Sequence, residues 1–139
     1  MDNLRPKIWV GVIVHKDWKI LFGKRKNAHG DGTRQFPWWH LEFWEEVFDC
    51  AKREVLEETA LNIKNLQIGP YTNDIFDKET KHYITLFVVS EYDSWLLQIM
   101  EKEKCDAWEW RWRDEIPENI FLPIQNLIKQ WFNPFDLLK

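Results

Sequence analysis

Three glutamates, Glu54, Glu57 and Glu58, stand at positions i, i+3 and i+4 of a stretch with helical character. Side chains three and four residues apart share one face of a helix, so these carboxylates are expected to project together. Like charges that close repel, and a cation between them would relieve the repulsion. Hard divalent cations such as Mg²⁺ take oxygen ligands, usually one or two carboxylates together with substrate phosphates. The spacing therefore predicts metal-assisted chemistry on a phosphate, and a merely solvated acidic helix face is the alternative.

The elements around these acids predict an α/β architecture. The helix that carries them is expected from about Glu45 to Thr59, with glutamates in its first turn. Predicted strands are 7–15, 19–23, 82–89, 96–100 and 106–112, and a second amphipathic helix is predicted at 120–132. Strands and helices in this order indicate one mixed sheet with helices on both faces. The 139 residues are expected to form a single domain, 1–139.

Composition argues against several classes of protein. A formal net charge of −4 does not suit a nucleic-acid polymer as partner, since that favours a basic surface. Two cysteines, Cys50 and Cys105, are too few for a disulfide framework and fit a reducing, cytoplasmic setting. The apolar run near the amino terminus is short for a signal peptide. No stretch approaches the roughly 20 apolar residues that cross a bilayer, so we expect no membrane partner.

The acidic helix belongs to a longer pattern. Trp39 is followed by five residues, Glu45, seven residues and then the run Arg53-Glu54-Val55-Leu56-Glu57-Glu58-Thr59-Ala60-Leu61. This resembles the box of the Nudix hydrolases, G-x5-E-x7-R-E-U-x-E-E-x-G-U, in which U is aliphatic. Every charged position of the box is present, whereas Trp39 and Ala60 stand at its glycines. The segments GKRK, FP-x-x-HLEF, HYITLF and EKCDAWEW resemble the MutT-type branch, which acts on nucleoside triphosphates.

The resemblance implies an α/β/α sandwich and a pyrophosphohydrolase dependent on Mg²⁺, with Mn²⁺ as an alternative. A nucleoside triphosphate, with an oxidised or modified purine among the candidates, would yield a monophosphate and pyrophosphate. Glu54 and Glu58 are the first choice as metal ligands, and Glu57 is a further ligand or the base. A backbone carbonyl near Trp38 is expected to help bind the metal. Relatives are often homodimers, which makes a second copy of the chain a possible partner.

Other residues are assigned positioning or substrate roles. Arg53 is expected to pair with Glu45, since their spacing of eight can tie the preceding loop to the helix. Arg25 closes the second strand, where its guanidinium fork would match phosphate oxygens, unless its basic cluster is only solvated. His40 either contacts phosphate or caps its loop. By likeness to relatives, a second acid comes from a distant loop, with Glu103 and Glu101 as candidates unless they are solvated. The base pocket would comprise Thr85, Phe121 and Leu122, although Phe121 fits an ordinary core equally well.

The chain contains ten tryptophans beside five glycines. Trp18 occupies a turn that favours glycine, and Trp38, Trp39 and Trp44 stand where the resemblance suggests glycine. Systematic replacement in an engineered or variant chain is one explanation, and a natural aromatic surface is the other. A bulky residue at left-handed φ stores about 1–3 kcal/mol of strain, and indoles could fill the space meant for phosphates. A catalytically impaired Nudix scaffold, which only binds ligand or is purely structural, is therefore the alternative to an active enzyme.

Overall fold

The computed structural model describes residues 4–24, 33–93, 108–112, 115 and 120–130. Within these residues the chain forms seven strands and two helices. They are β1 (Lys7–Lys16), β2 (Lys19–Lys24), β3 (Arg34–Gln35), β4 (Trp38–His40), α1 (Val47–Thr59), β5 (Ile63–Phe76), β6 (Lys81–Tyr92), β7 (Trp108–Trp112) and α2 (Leu122–Lys129). The strand predicted at 96–100 lies outside the described residues. The other predicted strands are present, with bounds that differ by a few residues.

The strands form one mixed sheet in the order β3-β2-β1-β6-β5, with β4 also paired to β1 and β7 to β2. β1 and β6 run parallel, from Lys7 opposite Tyr83 to His15 opposite Glu91. The remaining pairs are antiparallel. β1 lies at the centre and is buried from Trp9 to Val14, which explains its nearly continuous apolar sequence, since a strand covered on both faces needs no polar alternation.

The two helices cover opposite faces of this sheet. Val12 shares a buried cluster with Ala51 and Val55 of α1. The next residue, Ile13, shares a different buried cluster with Ile124 of α2. Successive strand residues point to opposite faces, so the clusters lie on either side of the sheet. The predicted α/β/α sandwich with a mixed sheet is confirmed. The face covered by α1 is called the α1 face below, and the other the α2 face.

Helix α1 begins at Val47, so the prediction that Glu45 lies in its first turn is wrong. A turn comes first, in which the amide nitrogen of Glu45 donates to the carbonyl of Glu42 at 3.2 Å. Trp44, within this turn, has a left-handed φ of 68°. Glu46 then serves as N-cap with extended backbone, φ −80° and ψ 131°. The left-handed residue redirects the chain, and helical geometry starts only after it.

Helix α2 begins at Leu122 rather than at 120. Ile120 is held in an isolated bridge with Arg34, and a proline follows in the first turn of the helix. The predicted end of this helix at 132 lies outside the described residues. Within them, the helix ends at Lys129 and Gln130 is its C-cap. Neither α1 nor α2 is long and apolar enough to cross a membrane, and the described part of the chain contains no other candidate helix.

Helix α2 also covers the exposed edge of the sheet. Among the described strands β5 is the last on that side, and side chains of α2 and of its C-cap residue donate to the backbone of β5. Asn126 Nδ2 donates to the carbonyl of Asn73 at 3.3 Å, and Gln130 Nε2 donates to the carbonyl of Tyr71 at 2.9 Å. Edge carbonyls that would otherwise face solvent are therefore bonded within the chain.

An aromatic cluster lies on the α2 face near the start of β1. Trp9 is fully buried in it, and its ring stacks on Tyr83 with centroids 3.6 Å apart and an interplanar angle of 13°. Trp38 meets Trp9 edge-on, with ring centroids 4.0 Å apart, and Phe76 and Phe121 complete the cluster. Rings packed in this way form a rigid wall.

The β1–β2 hairpin closes through a two-residue loop, Asp17 and Trp18, between paired Lys16 and Lys19. Both loop residues have left-handed φ, 51° and 67°. That is the geometry of a type I′ turn, which is dominated by Asn-Gly and Asp-Gly because glycine accepts positive φ without a clash. Trp18 therefore occupies a position that the backbone reserves for glycine.

We expect Trp18→Gly to raise the free energy of unfolding by about 1–2 kcal/mol, because a left-handed side chain costs about that much. Urea unfolding followed by circular dichroism measures the change. Trp112→Gly is the matched control: Trp112 is 49% exposed against 54% for Trp18, lies in a strand and lacks positive φ, so its replacement should destabilise. A Trp18→Gly variant no more stable than the parent would contradict the strain at this turn.

Candidate active site

Helix α1 carries its three glutamates close to strand β4. Glu58, the most carboxyl-terminal, accepts a hydrogen bond from Trp39 Nε1 at 2.8 Å. Trp39 lies opposite Val10 in the β4–β1 pair and therefore points to the α1 face. Glu54 is partly buried and Glu57 is exposed. The sequence placed these acids on one helix face, and the structure adds a contact from β4 that the spacing does not reveal.

Arg53 lies at the centre of the acidic group. Its Nη2 pairs with Glu45, and its Nη1 lies 2.8 Å from Glu54 Oε1 and 3.6 Å from Glu57 Oε2. Hydrogen bonds to Glu45 and Glu54 raise the pKa of the Arg53 guanidinium above its ordinary value. The predicted Arg53–Glu45 pair is present, and the same guanidinium also holds two of the three carboxylates predicted as metal ligands.

Glu45 ties the turn before the helix to the helix itself. Its Oε1 accepts the amide of Glu42 at 3.0 Å, and its other oxygen meets Arg53. The backbone amide of Glu42 is the main cause that holds the pKa of Glu45 below its usual range; burial opposes this shift, and bonds to Cys50 and Arg53 strengthen it. One carboxylate thus joins three points of the chain.

Cys50, in α1, is part of the same arrangement. The thiol is buried, and burial raises its pKa to about 12, with a further contribution from its hydrogen bond to Glu45. A thiol with that pKa is protonated at neutral pH and is a poor nucleophile. Cys50 therefore fills space and donates to Glu45, and it takes no covalent role.

The acidic face suits a divalent cation in the chemistry of its donors. Glu54, Glu57 and Glu58 offer carboxylate oxygens, which Mg²⁺ and Mn²⁺ both accept. In the described part of the chain, however, no three acidic, imidazole or thiol groups converge into a ready-made cage. Arg53 engages two of these carboxylates and Trp39 the third. A cation would bind in competition with the guanidinium and the indole.

Strand β4 separates two environments. Trp39 faces α1, whereas Trp38 and His40 lie opposite Gly11 and Trp9 and face the aromatic cluster. The backbone here is extended rather than left-handed, so the strain anticipated at Trp38 and Trp39 does not arise. It falls instead on Trp44, which is 90% exposed and has positive φ.

His40 lies at the exposed end of β4. Partial burial lowers the pKa of its imidazole, the ammonium groups of Lys7 and Lys81 lower it further, and Glu42 opposes them. His40 is thus a neutral ring near pH 7 beside two cations, and it can donate one hydrogen bond to an anion without contributing charge.

The three residues predicted for a base pocket lie together on the α2 face. Thr85 is buried and its Oγ1 donates to Asp74 Oδ2 at 2.6 Å. Phe121 is buried in the aromatic cluster, and Leu122 packs against it. The cavity that Thr85 and Phe121 share with Trp9 and Trp38 holds only about 10 Å³, about the room that one water needs.

Asp74 is a buried carboxylate that the sequence did not single out. It accepts from Thr72 and Thr85 through Oδ2 at 3.0 and 2.6 Å, and from Asn126 through Oδ1 at 2.9 Å. Alternation along β5 places Asp74 inward, which a sequence can reveal, but two of its three partners come from β6 and α2. Arg25, Glu101 and Glu103 lie outside the described residues.

The fold and this face together define a class: an α/β/α domain with a mixed sheet and a carboxylate-bearing helix positioned by an internal arginine. A family model described as NUDIX domain matches residues 5–132. The chain belongs to the NUDIX family, and the predicted Nudix hydrolase assignment is confirmed.

Individual relatives are consistent with this. An ADP-ribose pyrophosphatase of Methanocaldococcus jannaschii is 29% identical over 138 residues, which cover 98% of this chain and 73% of the relative. A MutT NUDIX hydrolase from Burkholderia pseudomallei superposes with a TM-score of 0.79 at 20% identity, covering 93% of this chain and all of that one. The NUDIX domain of Shewanella oneidensis NrtR, solved with ADP ribose, gives a TM-score of 0.71 at 14% identity, covering 99% of this chain and 91% of that one.

Replacing Glu45 tests its role in joining the turn to the helix. Its folded pKa is depressed, so it contributes stability above its unfolded pKa of about 4.5 that is lost as pH falls through the lower folded value. We expect Glu45→Gln to lower stability at about pH 7 and to flatten its decline at about pH 3. Urea unfolding at both pH values measures this. Glu46→Gln, an exposed neighbour without a cap hydrogen bond, is the control, and equal pH profiles for both variants would contradict the role.

Proposed function

We propose that the chain is a divalent-metal-dependent pyrophosphohydrolase that cleaves a phosphoanhydride bond in a substrate containing a nucleoside diphosphate. One observation carries the proposal: Glu54, Glu57 and Glu58 share a face of α1 beside Arg53, while Trp39 of β4 reaches the same face. Two of these carboxylates are held by one guanidinium and the third by an indole, which favours a site for cations and phosphates over a solvated helix surface.

The first substrate class is a nucleoside triphosphate, including an oxidised or modified purine, which would give a monophosphate and pyrophosphate. The MutT-like segments that flank the box support it. ADP-ribose is the second candidate, because the Methanocaldococcus jannaschii relative is called an ADP-ribose pyrophosphatase; its hydrolysis would give AMP and ribose 5-phosphate. Both substrates present a nucleoside 5′-diphosphate, so the same acidic face serves either.

The proposed roles follow from the contacts. Bound Mg²⁺ or Mn²⁺ would neutralise phosphate charge and lower the pKa of a water molecule. Glu54 and Glu58 would hold the cation, and the backbone near Trp38 would complete its ligands. Exposed Glu57 would be a further ligand or would accept the proton of the attacking water. Arg53, fixed by Glu45, keeps the carboxylates oriented.

Substrate contacts extend the proposal along the chain. His40 offers a hydrogen bond to a phosphate, Arg25 offers charge, and Glu103 is the candidate second acid. Thr85, Phe121 and Leu122 would lie near the base, provided that the indoles of the aromatic cluster move to make room. The buried free thiol of Cys50 suits the proposed cytoplasmic setting. We further propose that the chain forms a homodimer and has no nucleic-acid polymer or membrane as a partner.

A catalytically impaired scaffold is the second candidate, and specific contacts favour it. Trp39 Nε1 occupies an oxygen of Glu58, Trp44 has a left-handed φ, and Trp9 and Trp38 leave a cavity of only about 10 Å³. Displacing a ligand by about 1 Å can cost roughly 10² in rate. A folded chain with these indoles would then retain the architecture and lose turnover.

Metal-dependent turnover tests the enzyme directly. The protein is incubated with a panel of nucleoside triphosphates and with ADP-ribose. We expect it to hydrolyse at least one of these compounds in the presence of Mg²⁺ or Mn²⁺ and none of them in the presence of chelator. Glu58→Gln should lower kcat about 100-fold, since it removes a ligand charge. Glu79→Gln, an exposed carboxylate in the β5–β6 turn, is the control and should leave kcat unchanged. Equal turnover by the Glu58→Gln variant and the parent would refute the assigned site.

Restoring glycine separates the enzyme from the impaired scaffold. Trp39→Gly combined with Trp38→Gly and Trp44→Gly should raise kcat/KM at least about tenfold, because it frees Glu58 and relaxes the turn. Trp39→Phe retains bulk without the N–H donor, so it shows whether the hydrogen bond or the volume is inhibitory. Circular dichroism verifies folding. If the folded triple variant gains no turnover, the indoles are not what limits activity.

A further inference from the structure

A groove of about 550 Å³ lies where the chain enters β1, against the β5–β6 hairpin. Its volume falls within the range of about 300–1,000 Å³ typical of small-molecule sites. Among the residues that the structure describes, its lining comprises Leu4, Arg5, Pro6, Lys7, Ile75, Phe76, Asp77, Thr80, Lys81, His82 and Tyr83. None of the α1 glutamates contributes to it, so it is separate from the acidic face.

Strand pairing gathers positive charge at this groove. Lys7 lies opposite Tyr83 in the parallel β1–β6 pair, and Lys81 precedes Tyr83 by two residues. Alternation therefore places both lysines on the same face as the Tyr83 ring. Arg5 adds a guanidinium, and Asp77 is the single carboxylate among the lining residues that the structure describes. Within the described part of the chain neither lysine nor Arg5 forms a salt bridge.

The groove also has apolar walls with a fixed floor. Tyr83 is stacked on Trp9 and meets Phe76 edge-on at 6.1 Å, so its ring cannot turn freely. Ile75 and Leu4 expose apolar surface at the rim. Three cations beside apolar walls suit a ligand that combines an anionic group with a ring, since charge-assisted bonds fix the anion and the walls cover the ring.

We infer that this groove is a second binding site for a phosphorylated ring compound, with its phosphate between Lys7, Lys81 and Arg5 and its ring against Phe76 and Tyr83, which lie on the same face of the sheet as the two lysines. The inference goes beyond the proposed hydrolysis because it uses neither a metal nor the α1 carboxylates. Two sources supply this chemistry: the half of the hydrolysed substrate that lies away from the reacting phosphates, or a separate nucleotide. Arginine and lysine together match a phosphate by fork geometry and by charge.

Calorimetric titration of the full chain in chelator tests the site with AMP, ribose 5-phosphate and uncharged adenosine. We expect both phosphate compounds to bind at least about tenfold more tightly than adenosine, and added salt to weaken them. Lys7→Ala and Lys81→Ala should each weaken AMP about tenfold, as expected for one charge-assisted bond. Lys81→Arg should retain the affinity.

Lys78→Ala is the matched control, because Lys78 is an exposed lysine in the same hairpin but outside the groove lining. It should bind AMP like the parent. The inference is overturned if AMP and adenosine bind alike, or if folded Lys7→Ala and Lys81→Ala variants bind AMP like the Lys78→Ala variant. Thermal unfolding of each variant establishes that it is folded.

Kinetics then distinguish the two sources. A higher KM with unchanged kcat in the Lys7→Ala and Lys81→Ala variants means that the groove holds the far half of the substrate. Unchanged kinetics with lost AMP binding means a separate nucleotide site, and either result supports the inference. In chelator, the Glu58→Gln variant should bind AMP with the same affinity as the parent. The binding test therefore remains valid even if the proposed hydrolysis is not observed.

Discussion

The interaction on which the acidic face depends is the contact of one guanidinium with three carboxylates. Glutamates three and four residues apart repel one another and would destabilise an isolated helix. Arg53 offsets this repulsion through Glu54 and Glu57, and through Glu45 it also fixes the turn that precedes the helix. The guanidinium therefore offsets part of the dense negative charge on the helix. Because Glu45 of the turn itself holds Arg53, the conformation of the turn and the neutralisation of the α1 carboxylates depend on each other.

Strand β4 explains how three residues serve two faces of the sheet. Trp39 reaches the carboxylates, whereas Trp38 and His40 face the aromatic cluster, and the ammonium groups of Lys7 and Lys81 act on His40. A strand of only three residues joins the acidic face, the aromatic cluster and the cationic side chains of β1 and β6. Substitutions in β4 are therefore felt on both faces, and the bulk of its two indoles acts in two different environments.

Much of this arrangement was predictable from local pattern. The run of β-branched residues predicted β1, and the i, i+3, i+4 spacing predicted the acidic face, because both depend on residues near in sequence. The start of α1 was not predictable, because it depends on the left-handed backbone of Trp44. The contacts of Asp74 were not predictable either, because they depend on β6 and α2. The positions at which the resemblance suggests glycine are instructive: Trp44 and Ala60 have left-handed φ, 68° and 62°, whereas Trp38 and Trp39 do not. A motif alone cannot separate glycines needed for backbone angle from those needed for space.

The side-chain amides of Asn126 and Gln130, bonded to the carbonyls of β5, have a consequence for self-association. An unprotected outer strand is a template onto which another molecule can add a strand, the route to swapped dimers and fibrils. Here an incoming strand must first displace α2 from Tyr71 and Asn73. Helix α2 thus protects these two positions of β5 against an added strand. Unwinding of α2 would expose both carbonyls to a second molecule.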